Sequence, residues 1–72
     1  MVNVPKLRGK IAEREMNICK LAEIMGIDRS TMYRKLSKPD TLITIRDVRD
    51  ISVALHLSTA EVTEIFFTHD VA

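Results

Sequence analysis

The strongest constraint on this chain is the regular spacing of its helix-start and helix-stop signals. Short stretches with apolar residues at every third or fourth position alternate with residues that begin or end helices. That spacing places apolar side chains along one face of an α-helix. Sheet structure is disfavoured, since the 72 residues include only two glycines, two prolines and three aromatic residues, too few for the turns and strands of a sandwich or barrel. The sequence therefore predicts a series of short amphipathic helices.

Two helices are predicted in the first third of the chain. The first spans about 6–16 and carries Leu7 and Ile11 on its apolar side. Asn17 predicts the start of the second helix, because its side chain can accept hydrogen bonds from the amides of the following turn. Gly26 predicts its end, because glycine readily adopts the left-handed backbone that closes a helix.

The third helix is predicted to begin after Asp28, a suitable N-cap residue, and to run to about Ser37. Pro39 prevents its continuation, because the residue before a proline avoids helical dihedral angles. Together with the second helix, this segment forms two short helices joined by a tight turn.

Two further helices are predicted from capping boxes, in which a Ser or Thr side chain and an acidic side chain three residues later satisfy each other's backbone amides. Thr44 with Asp47 predicts the start of the fourth helix, and Ser58 with Glu61 the start of the fifth. Apolar residues at helical spacing follow each box. The fifth helix is expected to end near Phe67.

The expected architecture is all-α, a single domain over 1–72 in the form of a compact five-helix bundle. A chain of this length has room for one core only. No expectation follows for the order of the tail, 68–72. The predicted core comprises Leu21, Ala22, Met25, Ile27, Met32, Leu36, Val48, Ile51, Leu55, Val62 and Ile65.

Size and composition favour binding over catalysis. A molecule of 8.2 kDa is too small for the deep cleft of a metabolic enzyme. Cys19, His56 and His69 lack the close pairing of a zinc site, so no metal or cofactor is expected. The single cysteine cannot form an intrachain disulfide, and no apolar run approaches a membrane span, so we expect a cytoplasmic protein without membrane contact.

Charge is unevenly distributed along the chain. Residues 1–38 carry nine Lys or Arg against four acids, a balance of +5, whereas residues 39–72 carry two against six, a balance of −4. The net charge of +1 conceals this difference. One face of the molecule is therefore expected to be basic and another acidic.

The most informative run is 18–36, where two predicted helices meet around Gly26. Their close approach needs a small residue in the first helix, Ala22, and apolar residues in the second, Met32 and Leu36. Residues 21–32 read Leu-Ala-Glu-Ile-Met-Gly-Ile-Asp-Arg-Ser-Thr-Met.

This run resembles the helix-turn-helix of the Cro/CI-like (XRE-type) repressor superfamily of temperate-phage switches, whose pattern is roughly Leu-Ala-x-x-Leu-Gly-Ile-Ser-x-Ser-Thr-Ile. The resemblance places the motif at about 17–37 and extends over nearly the whole chain, since 46–67 is similar to the fourth and fifth helices of such domains. It implies a sequence-specific transcription regulator of a bacterial host cell that represses by occupying a double-stranded DNA operator, as a homodimer.

The residues expected to contact DNA are mostly on the third helix. At 100° per residue, Ser30, Thr31 and Arg34 point away from the core, and the resemblance places the first turn of this helix in the major groove. Arginine suits guanine, hydroxyl groups suit bases or phosphates, and a tyrosine ring suits a thymine methyl group. The candidates for base contact are Arg29, Ser30, Thr31, Tyr33 and Arg34, and those for phosphate contact are Lys20, Lys35, Lys38 and the amides that follow Asn17.

Structural explanations compete with some of these assignments. Arg29, Arg34 and Lys35 also fit a solvated helix face, and Tyr33 also fits partial packing against Leu36. Two positions depart from the family pattern. Ile18 stands where many relatives have glutamine, and Lys35 stands where an apolar residue is common.

A second class of function remains open, a protein-interaction module that binds and modulates a larger phage repressor in a heterocomplex. Ile18, the near-neutral net charge and an acidic second half suit attachment to the basic reading helix of another protein. An antitoxin is a third alternative, also a binding protein. Because neighbours on a helix diverge, Phe67 is expected either to contribute to an interface or to cover the end of the first helix, while Phe66 faces inward.

Overall fold

A computed structural model describes residues 1–67, and all regular structure within that range is helical. The prediction of an all-α fold is therefore confirmed. Five helices correspond to the five predicted from sequence, and one additional turn follows the third. The helices are α1 (Val4–Glu13), α2 (Ile18–Met25), α3 (Arg29–Ser37), α4 (Pro39–Leu42), α5 (Ile45–Ala54) and α6 (Thr59–Phe66).

Helix α1 begins two residues earlier than the 6–16 that apolar spacing predicts. Asn3 is its N-cap, and its side chain accepts a hydrogen bond of 3.1 Å from the amide of Lys6. The helix ends earlier as well, because Glu15 adopts a left-handed backbone with φ of 55° and the amide of Met16 bonds back to the carbonyl of Ile11. Asn3 followed by Pro5 is a helix-start signal that apolar spacing alone does not use.

The short helix α4 explains what happens after Pro39. The proline ends α3 as predicted, but it also occupies the first position of a new turn, where its missing N–H has no cost. The amide of Ile43 bonds to the carbonyl of Pro39 and closes that turn. The connection between α3 and α5 is therefore ordered by backbone hydrogen bonds.

Both predicted capping boxes are present. The amide of Asp47 donates to Thr44 Oγ1 and the amide of Thr44 to Asp47 Oδ2, at 3.1 and 3.0 Å. The Ser58 and Glu61 pair repeats the arrangement at 3.1 and 2.9 Å. Asp28 departs from expectation. It occupies the N-cap position of α3, yet its side chain makes no capping hydrogen bond.

The core lies between α1, α2, α3, α5 and α6. Four residues expected there, Met25, Ile27, Val48 and Val62, are only half-buried and pack against its edge. Backbone contacts also fasten α1 to the far end of the chain, since the amide of Asn3 donates to the carbonyl of Ile65. The buried hydrophobic residues are Leu7, Ile11, Ile18, Leu21, Ala22, Met32, Leu36, Ile51, Leu55, Ile65 and Phe66.

None of the helices within residues 1–67 combines the length and the apolar character needed to cross a membrane.

Candidate nucleic-acid interface

The turn between α2 and α3 sets the relation of these two helices. Gly26 adopts φ of 73°, a left-handed conformation that favours glycine. The amide of Gly26 bonds to the carbonyl of Glu23, and the amide of Ile27 bonds to the carbonyl of Ala22. These bonds satisfy the last carbonyls of α2 and reverse the chain within a few residues. Helix α3 therefore begins immediately beside the end of α2.

The inner side of α3 is fixed on the bundle by apolar contacts. Met32 is completely buried and Leu36 nearly so. Ala22 of α2 is also buried, and its small side chain lets the backbones of the two helices approach closely. Seating along 32 and 36 leaves the opposite side of α3 directed outward.

The outer side of α3 displays most of the predicted contact residues. Arg29, Ser30 and Arg34 are exposed, and Thr31 is half-buried. Tyr33 is 48% exposed, so its ring is accessible from solvent. The face combines two guanidinium groups with hydroxyl groups and one aromatic ring, which are the groups that contact base edges and phosphates in a major groove.

The cations on and next to this face form no ion pairs within the described residues. Within residues 1–67, Arg29, Arg34 and Lys38 make no ion pair with an acidic side chain. By contrast, Lys6 and Lys10 of α1 pair with acids of α6. The positive charge that remains available near α3 is therefore suited to polyanion binding.

The start of α2 supplies a second polar element. Asn17 Oδ1 accepts a hydrogen bond of 2.8 Å from the amide of Lys20, which confirms Asn17 as the N-cap. The amides of Ile18 and Cys19, at the first two positions, precede the intrahelical bonds and face outward from the helix end. Lys20 is exposed and lies 3.9 Å from Glu23, a loose contact. This helix start has the features that favour a phosphate group.

Comparison with known protein families finds one that covers most of the chain. The model of the Cro/C1-type HTH DNA-binding domain matches residues 6–67. The chain belongs to this family. It is a DNA-binding transcription regulator of helix-turn-helix type. Members of this family are typically not enzymes. Searches of curated proteins and of solved structures found no match.

One predicted phosphate contact of this Cro/C1-type domain is placed differently from expectation. Lys35 Nζ lies 2.7 Å from Asp47 Oδ2 and donates a second hydrogen bond of 3.1 Å to the carbonyl of Leu42. Only 18% of its side chain is exposed. The ammonium group is thus held inside the domain, because the capping box of α5 brings a carboxylate to the inner edge of α3.

Three of the five acids within residues 39–67 form ion pairs with lysines of the first half of the chain. Asp47, Glu61 and Glu64 pair with lysines from the first half, at 2.7, 2.5 and 2.6 Å. The opposite charges of the two halves therefore neutralise each other across helix contacts. This pairing reduces the acidic surface expected from sequence, and sequence alone could not reveal it because the partners lie in different helices.

Two of these carboxylates have lowered pKa values. The hydrogen bond from the Lys10 ammonium, followed by that from the Ser58 amide, lowers the pKa of Glu61 to about 2. Burial acts to raise the pKa of Asp47, but the hydrogen bonds from Lys35 and from the Thr44 amide outweigh it and lower that pKa. Each capping box is therefore also an electrostatic link to another helix.

A groove of about 840 Å³ between the end of α2 and the outer side of α5 was not predicted. Its apolar residues include Ile45, which is 74% exposed, and Val53, which is 69% exposed. Arg46 and Arg49 border it, and neither makes an ion pair within the described residues. The spacing of 45, 49 and 53 marks one helical row, which could have identified this face as apolar and basic.

Two of the three residues considered as metal ligands, Cys19 and His56, lie within the described residues. Within residues 1–67 no group of three or more His, Cys, Asp or Glu side chains is placed to hold a metal ion. Cys19 is an exposed free thiol, and His56 is exposed with φ of 52° at the turn after α5. His69 and the tail 68–72 lie outside the described residues.

Proposed function

We propose that this Cro/C1-type domain is a sequence-specific repressor that acts by occupying an operator, as a homodimer, in the manner of a phage switch protein. The observation that carries the proposal is the outer face of α3, where Arg29 and Arg34 are exposed beside Ser30 and make no ion pair with any acid of residues 1–67. The lysines of α1 and α3, by contrast, form ion pairs with acids of α5 and α6: Lys6, Lys10 and Lys35. Three cations that make no ion pair within residues 1–67, Arg29, Arg34 and Lys38, therefore lie on α3 or directly after it, where a reading helix needs them.

The residues of this face divide into two roles. Arg29, Ser30, Thr31, Tyr33 and Arg34 contact base edges in the major groove. Lys20, Lys38 and the amides that follow Asn17 contact phosphates and fix the position of the domain on the duplex. Lys35 is left out of both sets, because its ammonium group is already bonded to Asp47.

The experiment is a selection of binding sites from a random duplex library, followed by titration of the selected duplex and a scrambled duplex at two salt concentrations. We expect one enriched motif and a preference of about 10³-fold or more for the selected duplex. Lys38→Ala should weaken binding to both duplexes by the same factor and reduce the slope of log affinity against log salt concentration by about one. Failure to enrich any motif, with equal affinity for both duplexes, would exclude sequence-specific repression.

A second candidate function is binding to a larger repressor protein, and the groove between α2 and α5 favours it. Exposed Ile45 and Val53 offer apolar contacts, while Arg46 and Arg49, which make no ion pair within the described residues, give the groove an excess of positive charge over the one acid of its lining, Asp50. This combination fits an acidic amphipathic helix of the partner. It reverses the charge expected from sequence, where the second half of the chain was acidic.

This second function is tested by sedimentation of the domain with the repressor encoded beside it. Arg49→Glu should abolish a heterocomplex that uses the groove. Arg8→Glu is the matched control, since Arg8 is an exposed arginine on α1 that forms no ion pair with the acids of the described part of the chain. Equal complex formation by the wild-type protein and both variants would exclude the groove, and absence of any complex would exclude this function for that repressor.

A further inference from the structure

Lys35 and Asp47 form the most enclosed ion pair of the described residues, with side chains 18% and 13% exposed. The pair joins the reading helix α3 to the capping box of α5 at 2.7 Å. Asp47 Oδ2 also accepts from the amide of Thr44, and Lys35 also donates to the carbonyl of Leu42. One lysine is therefore bonded both to the last residue of α4 and to the first turn of α5.

The position of this pair allows it to influence the orientation of the outer face of α3. Lys35 directly follows Arg34, the exposed arginine proposed to contact a base. Met32 and Leu36 seat α3 by apolar contact, and the hydrophobic effect that drives this contact is non-directional. A short charged hydrogen bond has a defined direction and adds a restraint on the rotation of the helix about its own axis.

The structure contains an internal control for this pair. Lys10 of α1 bonds to Glu61 in the capping box of α6, at 2.5 Å, and Glu61 Oε1 accepts from the amide of Ser58. Each arrangement consists of a lysine from one helix and the acidic residue of a capping box on another. Only the Lys35 arrangement includes the reading helix.

We propose that the Lys35–Asp47 pair is a positioning element that fixes the rotation of α3 and thereby sets base discrimination, and that Lys35 is not a phosphate contact. The proposal rests on the proposed function, because discrimination presupposes sequence-specific binding. Neither residue touches DNA in this assignment. They act through Arg34 and its neighbours.

The first measurement needs no DNA. Residual dipolar couplings of backbone amides report the orientation of 29–37 relative to 45–54 in the wild-type protein, Lys35→Met and Lys10→Met. Methionine retains the length of the lysine stem without its charge. We expect a changed orientation of α3 in Lys35→Met and an unchanged one in Lys10→Met. An unchanged α3 in a folded Lys35→Met protein would overturn the positioning role, whatever the protein binds.

The second measurement is the ratio of affinities for the selected and scrambled duplexes. Lys35→Met and Asp47→Asn should each lower this ratio by about fivefold or more, the cost of losing one base contact, with the salt slope unchanged. The double variant should lose no more than either single variant, since both break one contact. Lys35→Arg should restore the ratio, and Lys10→Met should leave it unaltered even where thermal stability falls.

The possible failures are distinguishable. Equal weakening of both duplexes by Lys35→Met, with a salt slope reduced by about one, would make Lys35 a phosphate contact and overturn the proposal. A wild-type ratio of one would overturn the proposed function and the discrimination role together, while the dipolar couplings still decide whether the pair orients α3. A lowered ratio in Lys10→Met equal to that in Lys35→Met would attribute the effect to general destabilisation and also overturn it.

Discussion

At the scale of single residues, the decisive property is whether a cation is paired. Lys10 and Lys35 are both basic residues within amphipathic helices, and nothing in their immediate sequence separates them from Arg29 or Lys38. Their partners are contributed by α6 and by α5. Outward direction on α3 could be predicted from helical spacing, because Met32 and Leu36 define the buried side. The ion pair between Lys35 and Asp47 could not be predicted in this way, since it depends on a contact between two helices.

The Glu61 link predicts a specific dependence of stability on acid. Its carboxyl group has a pKa near 2 in the folded protein against 4.5 ordinarily, so its contribution is complete above about pH 4.5 and is lost as the pH falls toward 2. Glu61→Gln keeps a residue able to complete the capping box but removes the charge opposite Lys10. The melting temperature of this variant should lie below that of the wild type at pH 7 and approach it near pH 2.

The control for this pH series is Glu23→Gln, because Glu23 is exposed and lies 3.9 Å from Lys20. Its melting temperature should follow the wild-type curve at every pH. A constant difference between wild type and Glu61→Gln from pH 7 to pH 2 would contradict the electrostatic role of Glu61.

At the scale of helices, local sequence carried most of the information. Asn17, Gly26 and the two capping boxes mark helix ends because their side chains or backbone preferences act within one turn. The degree of burial of each apolar side chain is harder to predict from the sequence. Val48 and Val62 have helical spacing like that of Ile51, yet they pack at the edge of the core, because burial depends on which neighbouring helix covers each side. The row 45, 49 and 53 beside the groove is visible in the sequence, but whether another helix covers that row depends on the same tertiary packing.

The contact of α2 with α3 predicts that Ala22 tolerates no larger side chain. Ala22→Leu should lower the free energy of unfolding by about 1–3 kcal/mol, because three more carbon atoms must be placed in a filled contact. Chemical denaturation monitored by circular dichroism measures this change. Ala12→Leu is the matched control on the exposed side of α1 and should change stability by less than about 0.5 kcal/mol. Equal stability of the two variants would place the helix contact elsewhere.

At the scale of the whole molecule, the proposed homodimer needs a surface through which two copies associate. Helix-turn-helix dimers present their reading helices about 34 Å apart, one turn of the duplex, and this spacing requires an interface away from α3. Phe67 is 44% exposed and follows the end of α6. It borders a small pocket with Met1, Val2 and Pro39. Phe66 also lines this pocket, but it is buried as expected, so only Phe67 offers its ring to a partner.

We predict that Phe67→Ala weakens self-association while thermal stability changes little, by less than about 1 kcal/mol. Sedimentation velocity over a range of concentrations measures the association. Phe66→Ala is the contrasting variant, because removal of its buried ring should cost about 3–5 kcal/mol. Unchanged association of Phe67→Ala, or a loss of stability comparable to that of Phe66→Ala, would assign Phe67 to packing instead of to the interface.

The reading role of α3 is tested most directly by base preference at each position of the selected duplex. Affinities of the wild-type protein and of Arg34→Ala are measured for that duplex and for every single base-pair change. Arg34→Ala should bind the selected duplex about 1–3 kcal/mol more weakly and lose its preference at one base pair while keeping the others. Retention of every preference, with affinity unchanged or uniformly lower in a folded variant, would contradict base reading by Arg34.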